Sequence, residues 1–151
     1  MPILAKNKQA RFDYEILETL EAGLVLSGQE VKSIRQGQAS LKGSHVTIDK
    51  NREVFLINAS IPAYKMAGKL TNYQPDRSRK LLLRKKEIDY LAGKLQQTGL
   101  TLAPLSLYTK GRNIKLEIAL VKGKKKADKR KSIKEREEKR QIQRLLKTKF
   151  R

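Results

Sequence analysis

At 151 residues the chain is long enough for one domain and a tail, and too short for two full domains. Its 35 Lys and Arg against 15 Asp and Glu leave a net charge of +20, which favours a polyanionic partner, most often nucleic acid, and says nothing about fold. Zero cysteines exclude a disulfide framework, a thiolate metal site and a cysteine nucleophile, and a single histidine, His45, excludes a His-rich metal cluster. Apolar runs fall far short of the roughly 20 residues of a membrane helix, and Met1 to Lys6 lacks the apolar core of a secretory signal. A soluble, cytoplasmic, basic protein is expected, with no membrane partner.

Along the chain, the basic stretch Asn7-Lys8-Gln9-Ala10-Arg11 precedes a first strand, in which Phe12, Tyr14 and Ile16 alternate with Asp13 and Glu15. Glu30 to Arg35 reads as a short helix ended by Gly37, with Lys32 and Arg35 three apart on one face. Val46 and Ile48 resume a strand, Asp49 to Arg52 turns, and Val54 to Ile57 returns. Arg77, Arg79 and Lys80 then precede the apolar run Leu81-Leu82-Leu83. A second helix begins near Lys86, carries Ile88, Leu91 and Leu95 at i, i+3 and i+7, and stops at Gly99. Leu100 to Tyr108 and the cleanly alternating Ile114 to Leu120 pair across the turn Lys110 to Asn113. Pro104 lacks an N–H, so its strand is expected to be edge-like or bulged there. Many short strands with inserted helices predict a mainly β fold, an OB-like antiparallel barrel with flanking short helices.

Charge divides the chain further. Residues 1–121 carry 20 basic and 11 acidic residues, a net of +9; residues 122–151 carry 15 and 4, a net of +11. With only Ala127, Ile133, Ile142, Leu145, Leu146 and Phe150 as apolar residues, the second segment cannot offset its ordering entropy alone. The predicted organisation is an RNA-binding barrel, 1–121, followed by a basic tail, 122–151. A helix is still written into that tail. Ser132 and Glu135 form a capping-box pattern, and Ile142, Leu145, Leu146 and Phe150 line up as a stripe. The tail is expected to be disordered when free and helical once an anion screens its repulsion; the alternative is a solubilising tail that stays unstructured.

No catalytic constellation is visible, and neither a GxGxxG nor a GxxxxGK[ST] loop is present. No enzyme, metal site or cofactor is predicted. The candidates are basic clusters, which bind phosphates by charge and counterion release: Asn7, Lys8 and Arg11; Lys32 and Arg35; Arg77, Arg79 and Lys80; and Lys122, Lys124 and Lys125. Glu30 is the exception, an acid opening a basic helix. It either stabilises that helix start, accepts a bond from a base edge, or holds Lys32 or Arg35. Tyr14, Tyr64, Tyr73 and Tyr108 either stack on bases or belong to the core.

These blocks resemble a known family. Asn7-Lys8-Gln9-Ala10-Arg11, Gly28-Gln29-Glu30-Val31-Lys32-Ser33-Ile34-Arg35, Asp76 to Leu83, and Gly123-Lys124-Lys125 with Asp128-Lys129-Arg130 are similar to the SsrA-binding proteins, or small protein B, of bacterial trans-translation. The resemblance runs nearly end to end. It implies an OB-fold barrel that binds the tRNA-like domain of transfer-messenger RNA through the region of Glu30, Lys32, Ser33, Arg35 and Arg77 to Lys80. It also implies that the protein stands in for a missing anticodon arm on a stalled ribosome. The tail would enter the empty messenger channel, turn helical and meet small-subunit rRNA at the decoding centre through Asp128, Lys129 and Arg130, with Leu145 and Leu146 as its apolar pair. Ala127 departs from the histidine or tyrosine usual before that triplet, so no aromatic side chain stands there to stack on a base. The implied partners are transfer-messenger RNA, the ribosome, and the alanyl-RNA complex with elongation factor Tu, met by a monomer. The alternative is a general rRNA-binding, ribosome-associated protein.

Overall fold

The computed structural model describes residues 2–64, 73–123, 133–134 and 136–144. Among the described residues, the elements up to 123 follow in the order β1 (Ile3–Lys6), α1 (Lys8–Asp13), β2 (Tyr14–Leu24), α2 (Gly28–Arg35), β3 (His45–Ile48), β4 (Val54–Ile57), β5 (Arg79–Leu82), α3 (Lys85–Lys94), β6 (Leu100–Lys110) and β7 (Asn113–Gly123). All pairings are antiparallel. Six strands form a ring in the order β2, β7, β6, β3, β4 and β5, and β1 pairs with β6 beside β3. The ring closes where β5 meets β2 at only two positions, Gly23 opposite Leu82 and Leu24 opposite Leu81.

Period-two alternation dictates the core. Ile114, Leu116, Ile118 and Leu120 of β7 point into the ring beside Val46, Leu56, Leu81, Leu102 and Leu107, joined by Ile34 of α2 and Leu91 of α3. Burial of these side chains, worth about 1.5–3 kcal/mol each, dominates the stability of the ring. The opposite face of the long hairpin is apolar too: Ala103, Leu105, Ala119 and Val121 pack under Ala10 of α1. The glycine stop expected after α2 is present, Gly37 at φ +74°, a conformation that side chains avoid; α3 instead ends at Lys94 with Leu95 as its cap, and Gly99, at φ +84°, lies in the turn before β6.

The structure refines the sequence reading in its details. Phe12 belongs to α1 and not to the first strand, which starts at Tyr14. Asn7 caps that helix, its side chain accepting from the Ala10 N–H at 3.2 Å and donating to the Pro104 carbonyl at 2.9 Å. A short strand, β1, precedes it. The Pro104 strand is bulged as expected, with the register shifting between Pro104 and Ser106, yet it lies in the interior of the sheet because the bulge absorbs the missing donor. Finally, β7 runs past the expected boundary at 121/122 to Gly123.

In the tail, residues 133–134 and 136–144 are helical and exposed. The capping pair Ser132 and Glu135 and the apolar Leu145, Leu146 and Phe150 lie outside the described residues. Among the described residues no helix is long and apolar enough to cross a membrane.

Candidate nucleic-acid interface

The basic helix α2 is built around a buried anion. Ser27 caps it: the Ser27 side chain accepts from the Glu30 N–H, and Glu30 Oε1 accepts the Ser27 N–H at 3.0 Å, a complete capping box. Glu30 is 0% exposed. Its Oε1 also receives Arg77 Nη2, while Oε2 receives Arg79 through Nε at 2.9 Å and Nη2 at 2.8 Å. Arg79 is itself 0% exposed, and its fork is completed by the carbonyls of Ala59 at 2.7 Å and Pro75 at 2.8 Å. The Tyr73 hydroxyl donates to the Ile61 carbonyl on the edge of this cluster. A planar five-donor guanidinium suits such a site, where a lysine would leave acceptors unmet.

Burial alone would push the Glu30 carboxyl up, but the Ser27 N–H and the two guanidinium groups outweigh it and hold the group below the usual carboxylate range. Burial and the Glu30 charge push the Tyr73 hydroxyl up. Both groups therefore keep their ordinary states at neutral pH, and the cluster carries one net positive charge from its two arginines and one carboxylate. Of these ions only Arg77 reaches the surface, with 37% of its side chain exposed.

The geometry sorts the predicted RNA contacts into two kinds. Lys32 and Arg35 stand outward on α2, Lys32 with its Nζ 5.4 Å above the Tyr64 ring and Arg35 donating to the Arg112 carbonyl at 2.7 Å. Lys80 is also outward, 3.7 Å from Glu53. Glu30, Ser33 and Arg79 face inward, so direct phosphate contact is not open to them in this structure. The buried Ser33 Oγ has no hydrogen-bond partner among the described residues. Glu30 holds Arg77 and Arg79 and neither Lys32 nor Arg35. Sequence reading had a signal for part of this: Ser27-x-x-Glu30 is a capping box, and alternation along β5 puts Arg79 on the inward face with Leu81.

The α1 cluster forms a second neighbourhood. Asn7 is inward, as the helix cap, while Lys8 and Arg11 are exposed, Arg11 lying 3.9 Å from Glu117. A cleft of about 310 Å³ opens between this helix and residues 39–42, with Lys6, Lys8 and Lys42 among its walls. Lys122 is exposed on β7 opposite Glu15. Two further clefts, of about 290 and 550 Å³, share Gly23, Leu82 and Lys115 and add Arg112 and Arg84 to their walls. Sequence reading missed these three cations because they are scattered along the chain and meet only through the ring closure. Of the tyrosines, Tyr14 packs against the α1 cluster and the largely buried Tyr108 bonds Glu21. Lys124, Lys125, Ala127, Asp128, Lys129, Arg130, Leu145 and Leu146 lie outside the described residues. Among the described residues no group of three His, Cys, Asp or Glu side chains could hold a metal ion.

A closed antiparallel ring, with surface cations braced from behind by a buried carboxylate, defines a small basic β-protein whose charged face is set by the fold. The chain belongs to the SmpB family: the family described as "SmpB protein" matches residues 4–148. Its relatives include the SsrA-binding proteins of Trichodesmium erythraeum, 50% identical over 145 residues, 96% of this chain and 92% of that one. That of Chloroflexus aggregans is 47% identical over 149 residues, 99% of this chain and 94% of that one. That of Streptomyces avermitilis is 52% identical over 144 residues, 95% and 80% of the two chains. A solved structure described as "tmRNA-SmpB: a journey to the center of the bacterial ribosome" superposes with a TM-score of 0.68 at 42% identity, covering 88% of this chain and 95% of that chain.

Proposed function

We propose that this chain binds the tRNA-like domain of transfer-messenger RNA and brings it to stalled ribosomes for trans-translation, performing no chemistry itself. The observation that carries the reading is the Glu30 brace, which ties Arg77 to α2, the helix that also carries the outward Lys32 and Arg35. A surface of cations fixed in position recognises the shape of a folded RNA, whereas loose lysines attract any phosphate backbone equally. The likeness to SsrA-binding proteins and to the structure described as "tmRNA-SmpB" supports the same partner.

On this reading the ring is an OB-fold-like barrel. Residues 1–121 grip the RNA with Lys8, Arg11, Lys32, Arg35, Arg77 and Lys80, joined by Lys122, Lys124 and Lys125 at the start of the tail, while Asn7, Glu30, Ser33 and Arg79 shape the surface from within. The rest of the tail, through Asp128, Lys129 and Arg130 and then Leu145 and Leu146, probes the empty messenger channel and the decoding centre. The monomeric, cytoplasmic protein acts with alanyl-tmRNA and elongation factor Tu. Filter binding of the full chain to tmRNA and to unrelated structured RNAs at one salt concentration tests this. A marked preference for tmRNA is expected; equal affinities would leave only a general rRNA-binding protein.

A further inference from the structure

We infer that the flank of α1 around Phe12 is the resting seat of this chain's own tail helix, from which a polyanion displaces it. Two observations converge on that flank. The Arg136 guanidinium of the tail helix lies over the Phe12 ring, 5.1 Å from its centroid. The tail also leaves the ring beside the seat, because β7 ends at Gly123 opposite Tyr14, two residues from Phe12. Charge does not oppose the seat: Asp13 and Glu15 balance Lys8 and Arg11 there, while residues 122–151 carry a net of +11.

Phe12 is half-buried, so the ring face offered to Arg136 is held still by α1 and not by the tail. A cation over an aromatic face is a weak contact between separate molecules. Tethering changes its weight, because a short linker supplies an effective concentration on the order of millimolar, enough to populate a contact of millimolar affinity about half the time. Such a latch is strong enough to bias the tail and weak enough for phosphates to open. Stacking uses the face of the Arg136 guanidinium and leaves its edge N–H groups to phosphate, so the competition is for the tail helix as a whole, which cannot lie against α1 and follow a polyanion elsewhere at once. By linkage, whatever captures the tail weakens the seat, and a seated tail binds non-cognate RNA less readily.

The absence of cysteine makes the test direct, since Gln141→Cys gives the full chain one site for a spin label. Amide signals of Lys8 to Glu15 should broaden in the labelled protein and recover on reduction of the label. The broadening should fall in Phe12→Leu, and equally in Arg136→Gln, a tail substitution that leaves the ring untouched. Adding a short oligouridylate should abolish it. With the seat about half-occupied, Phe12→Leu should bind that oligonucleotide about twofold more tightly. Broadening no greater than that of an unattached random tether, or unchanged in both variants, would overturn the proposal, as would unaltered oligouridylate affinity in Phe12→Leu.

Discussion

Glu30 carries a full charge with no access to water, and four donors from Ser27, Arg77 and Arg79 make that possible. Removing one partner of a buried ion cluster leaves an uncompensated charge, so Glu30→Gln should cost about 3–5 kcal/mol by denaturant unfolding. The sign of the pH dependence follows from its lowered titration. Because the folded carboxyl titrates below its ordinary value of 4.5, its stabilisation is complete above that pH and is lost as pH falls through the folded value. Glu30→Gln should therefore flatten the acid limb of the stability curve. It should also weaken RNA binding despite removing a negative charge, because Arg77 loses its brace. Tighter binding by the variant would show that bulk charge outweighs placement.

At the scale of elements, the same amphipathic logic succeeds in α2 and α3 and misassigns the start of β2. Phe12, Tyr14 and Ile16 alternate as a strand would, yet the Asn7 cap and the packing of Ala10 on Ala103 and Leu105 draw residues 8–13 into a helix. Local pattern lost there to a tertiary surface. The tail helix is the opposite case, legible in its own residues but with little surface to bury. Helical pairs are worth about 0.2–0.5 kcal/mol each, and most helical stability in proteins comes from packing. A peptide of residues 122–151 should therefore give mostly coil by circular dichroism in dilute buffer and gain helix with added phosphate polyanion. A stable helix in buffer alone would contradict this.

For the whole molecule, the +9 of residues 1–121 and the +11 of residues 122–151 should act separately. Each neutralised phosphate adds about 0.7 to the slope of log affinity against log salt on single strands. Deleting 122–151 should flatten that slope on oligouridylate far more than it lowers affinity for tmRNA at fixed salt. Equal losses on both RNAs would mean that the tail and the ring contact one RNA together. The alternation of β7, the glycine stop of α2 and the uneven charge are all visible without coordinates, since each depends on neighbours in the chain. So is the family resemblance, carried by the Gly28–Arg35 and Asp76–Leu83 blocks.

Which charges face water is another matter. Arg77, Arg79 and Lys80 read as one basic cluster, but β5 turns Arg79 inward to Glu30 and Lys80 outward, while Arg77 straddles the rim. Arg84, Arg112 and Lys115 become neighbours only because two residue pairs between β5 and β2 close the ring. The sequence by itself determined how much charge the protein has and on which segments it lies, because charge is additive along a chain. The tertiary structure decided which of those charges bind outward and which hold the others in place, because burial depends on contacts between residues nearly fifty positions apart, as Glu30 and Arg79 are.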